Sequence, residues 1–168
     1  GQNCHESESY GSYTGSVNPR MLKNIGADFV IIGHSENRKK GENDKLINLK
    51  IKSAIQAKLK VIFCIGETLT EKIKKKTQSI LSRQIKVGLD GIKNKSNIFI
   101  AYEPVWAIGT GMIPKSKDLF KIIKFIKNKF KDKQPKVLYG GSVSSQNINS
   151  LKEINNIDGF LIGGASQN

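Results

Sequence analysis

The run Ala101-Tyr102-Glu103-Pro104-Val105-Trp106-Ala107-Ile108-Gly109-Thr110-Gly111 sets a carboxylate at the end of an apolar stretch and follows it with a glycine-bounded loop. A carboxylate so placed has the layout of a catalytic base under a lid. Ile98 to Tyr102 reads as a buried strand, and Pro104 denies the residue before it a helical backbone, which puts Glu103 at the strand's C-terminal tip. A glutamate in that position is more often a solvated loop carboxylate. The apolar Val105-Trp106-Ala107-Ile108 argue for the other reading, because a loop tip has no structural need of Trp and Ile unless it closes over something.

His34 follows Val30-Ile31-Ile32-Gly33 and precedes Ser35-Glu36-Asn37-Arg38, where a short helix is expected to open. The partial positive charge of a helix N-terminus disfavours an imidazolium and leaves a neutral ring able to donate a hydrogen bond. A histidine that merely caps its turn fits the same residues. Tyr139-Gly140-Gly141-Ser142-Val143 and the stretch from Gly159 to Ser166 leave two further strands with residues small enough for backbone N–H groups to approach an anion. Alone, these loops would suit many phosphate-binding barrels. No strand-end lysine suits a Schiff base, and no strand-end His/Asp set suits a metal.

The elements that must position these residues alternate along the chain. Strands are expected over Phe29 to Ile32, Val61 to Ile65, Ile98 to Tyr102, Val137 to Tyr139 and Phe160 to Ile162, with helical patterns such as Asp44 to Lys58 and Thr70 to Gly88 between them. Repeated βα units demand a parallel sheet with helices outside. Several strands end in a polar or glycine-rich turn, Gly66-Glu67 among them, and function at the C-terminal ends of successive strands marks a (β/α)8 barrel.

Bulk properties agree. At 168 residues and 38% hydrophobic the chain can bury a core, and it holds no apolar run long enough to span a bilayer. Cys4 and Cys64 show no disulfide or metal spacing and suit a reducing compartment. The net charge of +14 invites a nucleic-acid reading. Its distribution argues against one: only Arg20, Arg38 and Arg83 are arginine, and between Ser116 and Lys133 the lysines cover faces left by the apolar stripe Leu119, Ile123, Ile126 and Phe130. The denser Lys72 to Lys76 cluster lacks interleaved aromatics.

The Glu103 run resembles, almost letter for letter, the catalytic-glutamate and flexible-loop segment of triosephosphate isomerases. The His34 segment is similar to that family's electrophilic-histidine motif, the glycine loops to its phosphate site, and the similarity runs in register from Gly1 to Asn168. The resemblance implies an α/β protein, a (β/α)8 TIM barrel here incomplete, with about strands 3 to 8 in a single partial domain over residues 1–168. It implies interconversion of dihydroxyacetone phosphate and D-glyceraldehyde 3-phosphate without cofactor or metal, in a cytoplasmic homodimer that engages neither nucleic acid nor membrane. Glu103 would move the proton and His34 would polarise the enediolate oxygens. Backbone N–H groups of Gly109, Ser142 and Gly164 would hold the phosphate, with Gly163 shaping the turn. Glu36, Ile108 and Leu161 would support the site, the last two by desolvating Glu103. Tyr13 and Thr14 would lie on a dimer loop, Thr14 reaching the partner's active site.

Two departures from the family stand out. Its first-strand Asn and Lys have no counterpart here, Gly1-Gln2-Asn3 look like the end of the third strand, and the last helix is expected to be missing, so a start upstream and poor activity of these residues alone are expected. Ser16 and Asn37 replace an acidic residue and an Arg that bridge subunits in many relatives; losing both leaves no charge unpaired. Rival readings are another phosphate-binding barrel, such as a phosphosugar aldolase or epimerase, and a non-catalytic basic binding module.

Overall fold

A computed structural model describes residues 3–7, 11–131 and 133–167 of the chain. Gly1 and Gln2, expected at a strand end, lie outside the described residues, and Asn3 is in no strand. Contacts divide the chain into two compact units, residues 1–64 with 84–99 and residues 65–83 with 100–168.

In the first unit, strands β1 (Phe29–Ile32) and β2 (Lys60–Ile65) pair in parallel, Phe29 against Lys60 through Ile32 against Phe63. Val30, Ile32, Val61, Phe63 and Cys64 are wholly buried, as strands covered on both faces require. Helix α1 (Pro19–Asn24) starts where the Asn18 side chain accepts from the Met21 N–H and Pro19 supplies a ready-made φ. The turn after β1 opens α2 (Ser35–Lys39). Helix α3 (Asp44–Gln56) is capped by Asn43, which accepts from the Lys45 and Leu46 N–H groups, and it buries Ile47, Ile51 and Ala54 at helical spacing. It ends short of the expected Lys58, because that residue takes a left-handed backbone, φ 60°.

The second unit takes the end of β3 (Ile98–Tyr102) together with β4 (Val137–Tyr139) and β5 (Gly159–Phe160), paired in parallel in that order. Strand β5 ends before the expected Ile162, since its partner β4 gives way to a glycine turn after Tyr139, and Ile162 is exposed. Helix α6 (Ser116–Lys127) lays Leu119, Ile123 and Ile126 on the core, and α7 (Ile148–Lys152) buries Leu151. The helix expected from Thr70 to Gly88 is two helices, α4 (Leu69–Ile73) and α5 (Thr77–Gly88). Between them Lys75 sits at φ 56°, within three consecutive exposed lysines that no buried face holds in line. Among the described residues no helix is long and apolar enough to cross a membrane.

Candidate active site

Glu103 is fixed by backbone on two sides. Its N–H donates to the Ile65 carbonyl at 2.8 Å, while the Gly140 N–H donates to Tyr102 at 2.9 Å, so the β3 tip is tied to the ends of β2 and β4. Both neighbours at that level are glycines for steric reasons. A Cβ on Gly66 would overlap the Glu103 carbonyl oxygen, and one on Gly140 would stand 2.8 Å from the Glu103 Cγ. Glu103 itself is only 3% exposed, which rules out the solvated loop carboxylate. The sequence offers Gly66 as a turn glycine and Gly140 as part of a loop small enough to approach an anion; their role beside Glu103 depends on strand neighbours far apart in the chain.

The loop after Glu103 begins in a 3-10 turn, Val105–Ala107, and runs exposed from Gly109 to Ile113. Gly109 and Gly111 both take positive φ, 68° and 76°, at its two sides. Its near end is held by Glu67, which the sequence offered only as a strand-end polar residue. The Trp106 Nε1 donates to Glu67 Oε1 at 3.0 Å, the Tyr102 hydroxyl donates to the same carboxylate at 3.2 Å, and the Val105 N–H donates to the Glu67 carbonyl. Burial pushes the Glu67 carboxyl up from its ordinary pKa, against the lowering pull of Trp106, its own backbone, Tyr102 and Lys72. The same burial, reinforced by the Glu67 charge, drives the Tyr102 hydroxyl well up.

Ser142 holds the loop's far end. Its Oγ donates to the Ala107 carbonyl at 2.6 Å and accepts from the Gly111 N–H at 3.0 Å, while its own N–H donates to Ala107 at 3.1 Å. An anion reaches that N–H only by displacing the Ala107 carbonyl. Gly141, expected as a small residue beside an anion, also leaves room that the Tyr139 hydroxyl occupies, since a Cβ there would overlap that oxygen. Gly163 and Gly164 are exposed with open space where a Cβ would stand, and the Gly163 carbonyl accepts from Ser166 N–H and Oγ. Ile108 and Leu161 are both half-buried, and the Leu161 N–H donates to Tyr139.

In the other unit, His34 caps α2 as the simpler reading allowed: its Nδ1 accepts from the Glu36 N–H at 3.4 Å. An Nδ1 that accepts places the ring proton on Nε2, where it can be donated. Glu36 is exposed, with its carboxylate 4.0 Å from Nδ1. The turn that carries His34 is fixed by Arg38, counted in the sequence only as one of three arginines. Its guanidinium donates to the Gly33 carbonyl at 2.7 Å, to Asp44 at 2.6 Å and to the Cys64 carbonyl at 3.2 Å, tying the end of β1 to the start of α3 and the end of β2. Gly33 is at φ 80°, and a Cβ there would stand 3.0 Å from the Cys64 oxygen. On the expected dimer loop, Tyr13 and Thr14 are exposed and the Tyr13 ring lies 4.1 Å from that of His5.

The family model for triosephosphate isomerase matches residues 1–168. Among curated proteins, the triosephosphate isomerase of Thermodesulfovibrio yellowstonii is 48% identical over 166 residues, covering 95% of this chain and 68% of that protein. That of Chlorobium luteolum is 44% identical, covering 99% of this chain and 70% of its own length. A crystal structure of triosephosphate isomerase from Bartonella henselae superposes with a TM-score of 0.90 at 41% identity, over 99% of this chain and 70% of that one.

Proposed function

The chain belongs to the triosephosphate isomerase family, and on that premise we propose that Glu103 is its catalytic base and His34 its electrophile. The fold is accordingly an α/β (β/α)8 barrel, present in part. The family's reaction interconverts dihydroxyacetone phosphate and D-glyceraldehyde 3-phosphate, and these matches do not favour an aldolase, an epimerase or a non-catalytic basic module.

Glu103 takes the proton from the carbon beside the carbonyl and returns it to the neighbouring carbon. His34 donates from Nε2 to the oxygens of the enediolate, a contribution that grows once water is excluded. The loop from Val105 to Gly111 closes over the intermediate and keeps it from shedding phosphate. Gly109, Ser142 and Gly164 hold the dianion through backbone N–H groups, with Gly163 leaving the turn open. Glu36, Ile108 and Leu161 act around them, Ile108 and Leu161 by keeping water from the carboxylate. Tyr13 and Thr14 meet a second copy in a cytoplasmic homodimer, a reading supported by their exposure and by the burial of both cysteines, Cys4 and Cys64.

The observation that carries this reading is the buried Glu103, held between Gly66 and Gly140 directly before the latched loop. These residues assayed alone are expected to turn over triose phosphate poorly, because the family's first-strand Lys is not among them; a separate peptide carrying the family's first two βα units should supply it. In that mixture Glu103→Gln should lower turnover by about three powers of ten or more, with binding of a phosphate ligand little changed. Near-normal turnover of the variant would remove Glu103 from the base role.

A further inference from the structure

Helix α4 buries none of its residues, so core packing does not explain why it stands where it does. A capping box defines its start, the Thr68 hydroxyl accepting from the Glu71 N–H while the Glu71 carboxylate accepts from the Thr68 N–H at 2.8 Å. The helix does meet the loop. Lys72 Nζ lies 3.2 Å from the centroid of the Trp106 ring, over its face, while the edge of the same ring donates Nε1–H to Glu67. Trp106 is the single tryptophan of the chain, and it sits in the first turn of the loop.

From this geometry we infer that Lys72 is a positioning residue of the lid: its ammonium clamps the face of the Trp106 indole so that Nε1 stays on Glu67 and the loop leaves β3 from a fixed hinge. The inference rests on reading the loop as a lid. A cation on the negative face of an indole is attracted by the ring quadrupole, and it draws electron density from the N–H, which strengthens the donor that Glu67 accepts. The carboxylate needs that help, since it is buried. The Lys72 charge also acts on Glu67 directly, opposing the effect of its burial. A cation, a ring and a carboxylate therefore stabilise one another in sequence, and removing the cation should loosen the indole without unfolding an exposed helix.

Because the hinge residue is the only tryptophan, the clamp has its own spectroscopic reporter and needs no turnover. Acrylamide quenching of Trp106 emission would be measured on the chain as it is and on Lys72→Met, Lys72→Arg and Glu67→Gln, with the thermal midpoint of each followed by circular dichroism. Lys72→Met should raise the quenching constant about threefold at an unchanged midpoint, and Lys72→Arg should restore it, because a guanidinium stacks on the same face. Glu67→Gln should also raise it, since a neutral amide oxygen accepts from the indole N–H more weakly than a carboxylate does. A Lys72→Met variant quenched like the wild type overturns the clamp, as does a Lys72→Arg variant quenched like Lys72→Met, which would leave the length of the side chain rather than its charge as the cause. Should Lys72→Met lower the midpoint, Lys72→Gln decides: normal quenching with it overturns the clamp, and raised quenching supports it. Failure of Glu103 as base would leave all of these readings intact, and failure of the clamp would leave Glu103 untouched.

Discussion

The turn from Gly33 to Arg38 and the loop from Val105 to Gly111 both follow a strand, yet they are held in opposite ways. The first is locked by one guanidinium whose donors end on two main-chain carbonyls and a carboxylate, with a glycine where any side chain would be strained. The second is latched at its ends, by an indole on a buried carboxylate and by a serine hydroxyl, while Gly109 to Gly111 stay exposed. A residue that must present a proton in one direction gains from the first arrangement; a segment that must admit a substrate needs the second, in which each bond is weak enough to break singly. Local stability follows the role proposed for each segment.

Breaking the lock should have the larger effect. Arg38→Met removes the cation from beside half-buried Asp44 and one donor from each of two carbonyls, and a loss of about 3 kcal/mol is expected in denaturant unfolding. A loss below the range of a single neutral hydrogen bond would show the turn to be held by something other than Arg38. The latch should give way more cheaply. Ser142→Ala removes the hydroxyl that joins Ala107 to Gly111, which should cost about 1 kcal/mol globally. Hydrogen exchange of the Gly111 amide should meanwhile quicken about tenfold, and an unchanged rate there would count against Ser142 as a latch.

The smallest effect sharpens the contrast through pH. Burial holds the folded Glu67 carboxyl above its ordinary pKa, so its contribution to stability is greatest below that ordinary value and declines as pH rises through the folded pKa, where a desolvated carboxylate must be carried. Wild type should therefore lose stability relative to Glu67→Gln as pH is raised across that interval, and Trp106 emission should titrate with it. A wild-type advantage that grows with pH would mean that the hydrogen bonds to the carboxylate outweigh its burial.

Local pattern made the alternation of strands and helices legible. The strands at Phe29–Ile32, Ile98–Tyr102 and Val137–Tyr139 stand where their apolar runs put them, Glu103 falls at a strand tip because Pro104 follows, and a helix opens after His34. The break at Lys75 was hidden, because helical periodicity continues in phase across it and only the missing buried face of α4 reveals that nothing holds the two parts in line. The partners of the functional residues were hidden as well. Glu67 meets Trp106 across a separation of 39 residues, Arg38 reaches Cys64 across 26, and Gly111 meets Ser142 across 31. Rules of propensity, capping and periodicity act over one or two turns of chain, so the sequence by itself determined which residues end β1 to β4, while β5 stops at Phe160, short of the expected Ile162. Which ends lie side by side depends on parallel pairing through long crossovers, and that was decided only by tertiary structure, where Gly66 and Gly140 come to flank Glu103 and a lysine comes to rest on a tryptophan.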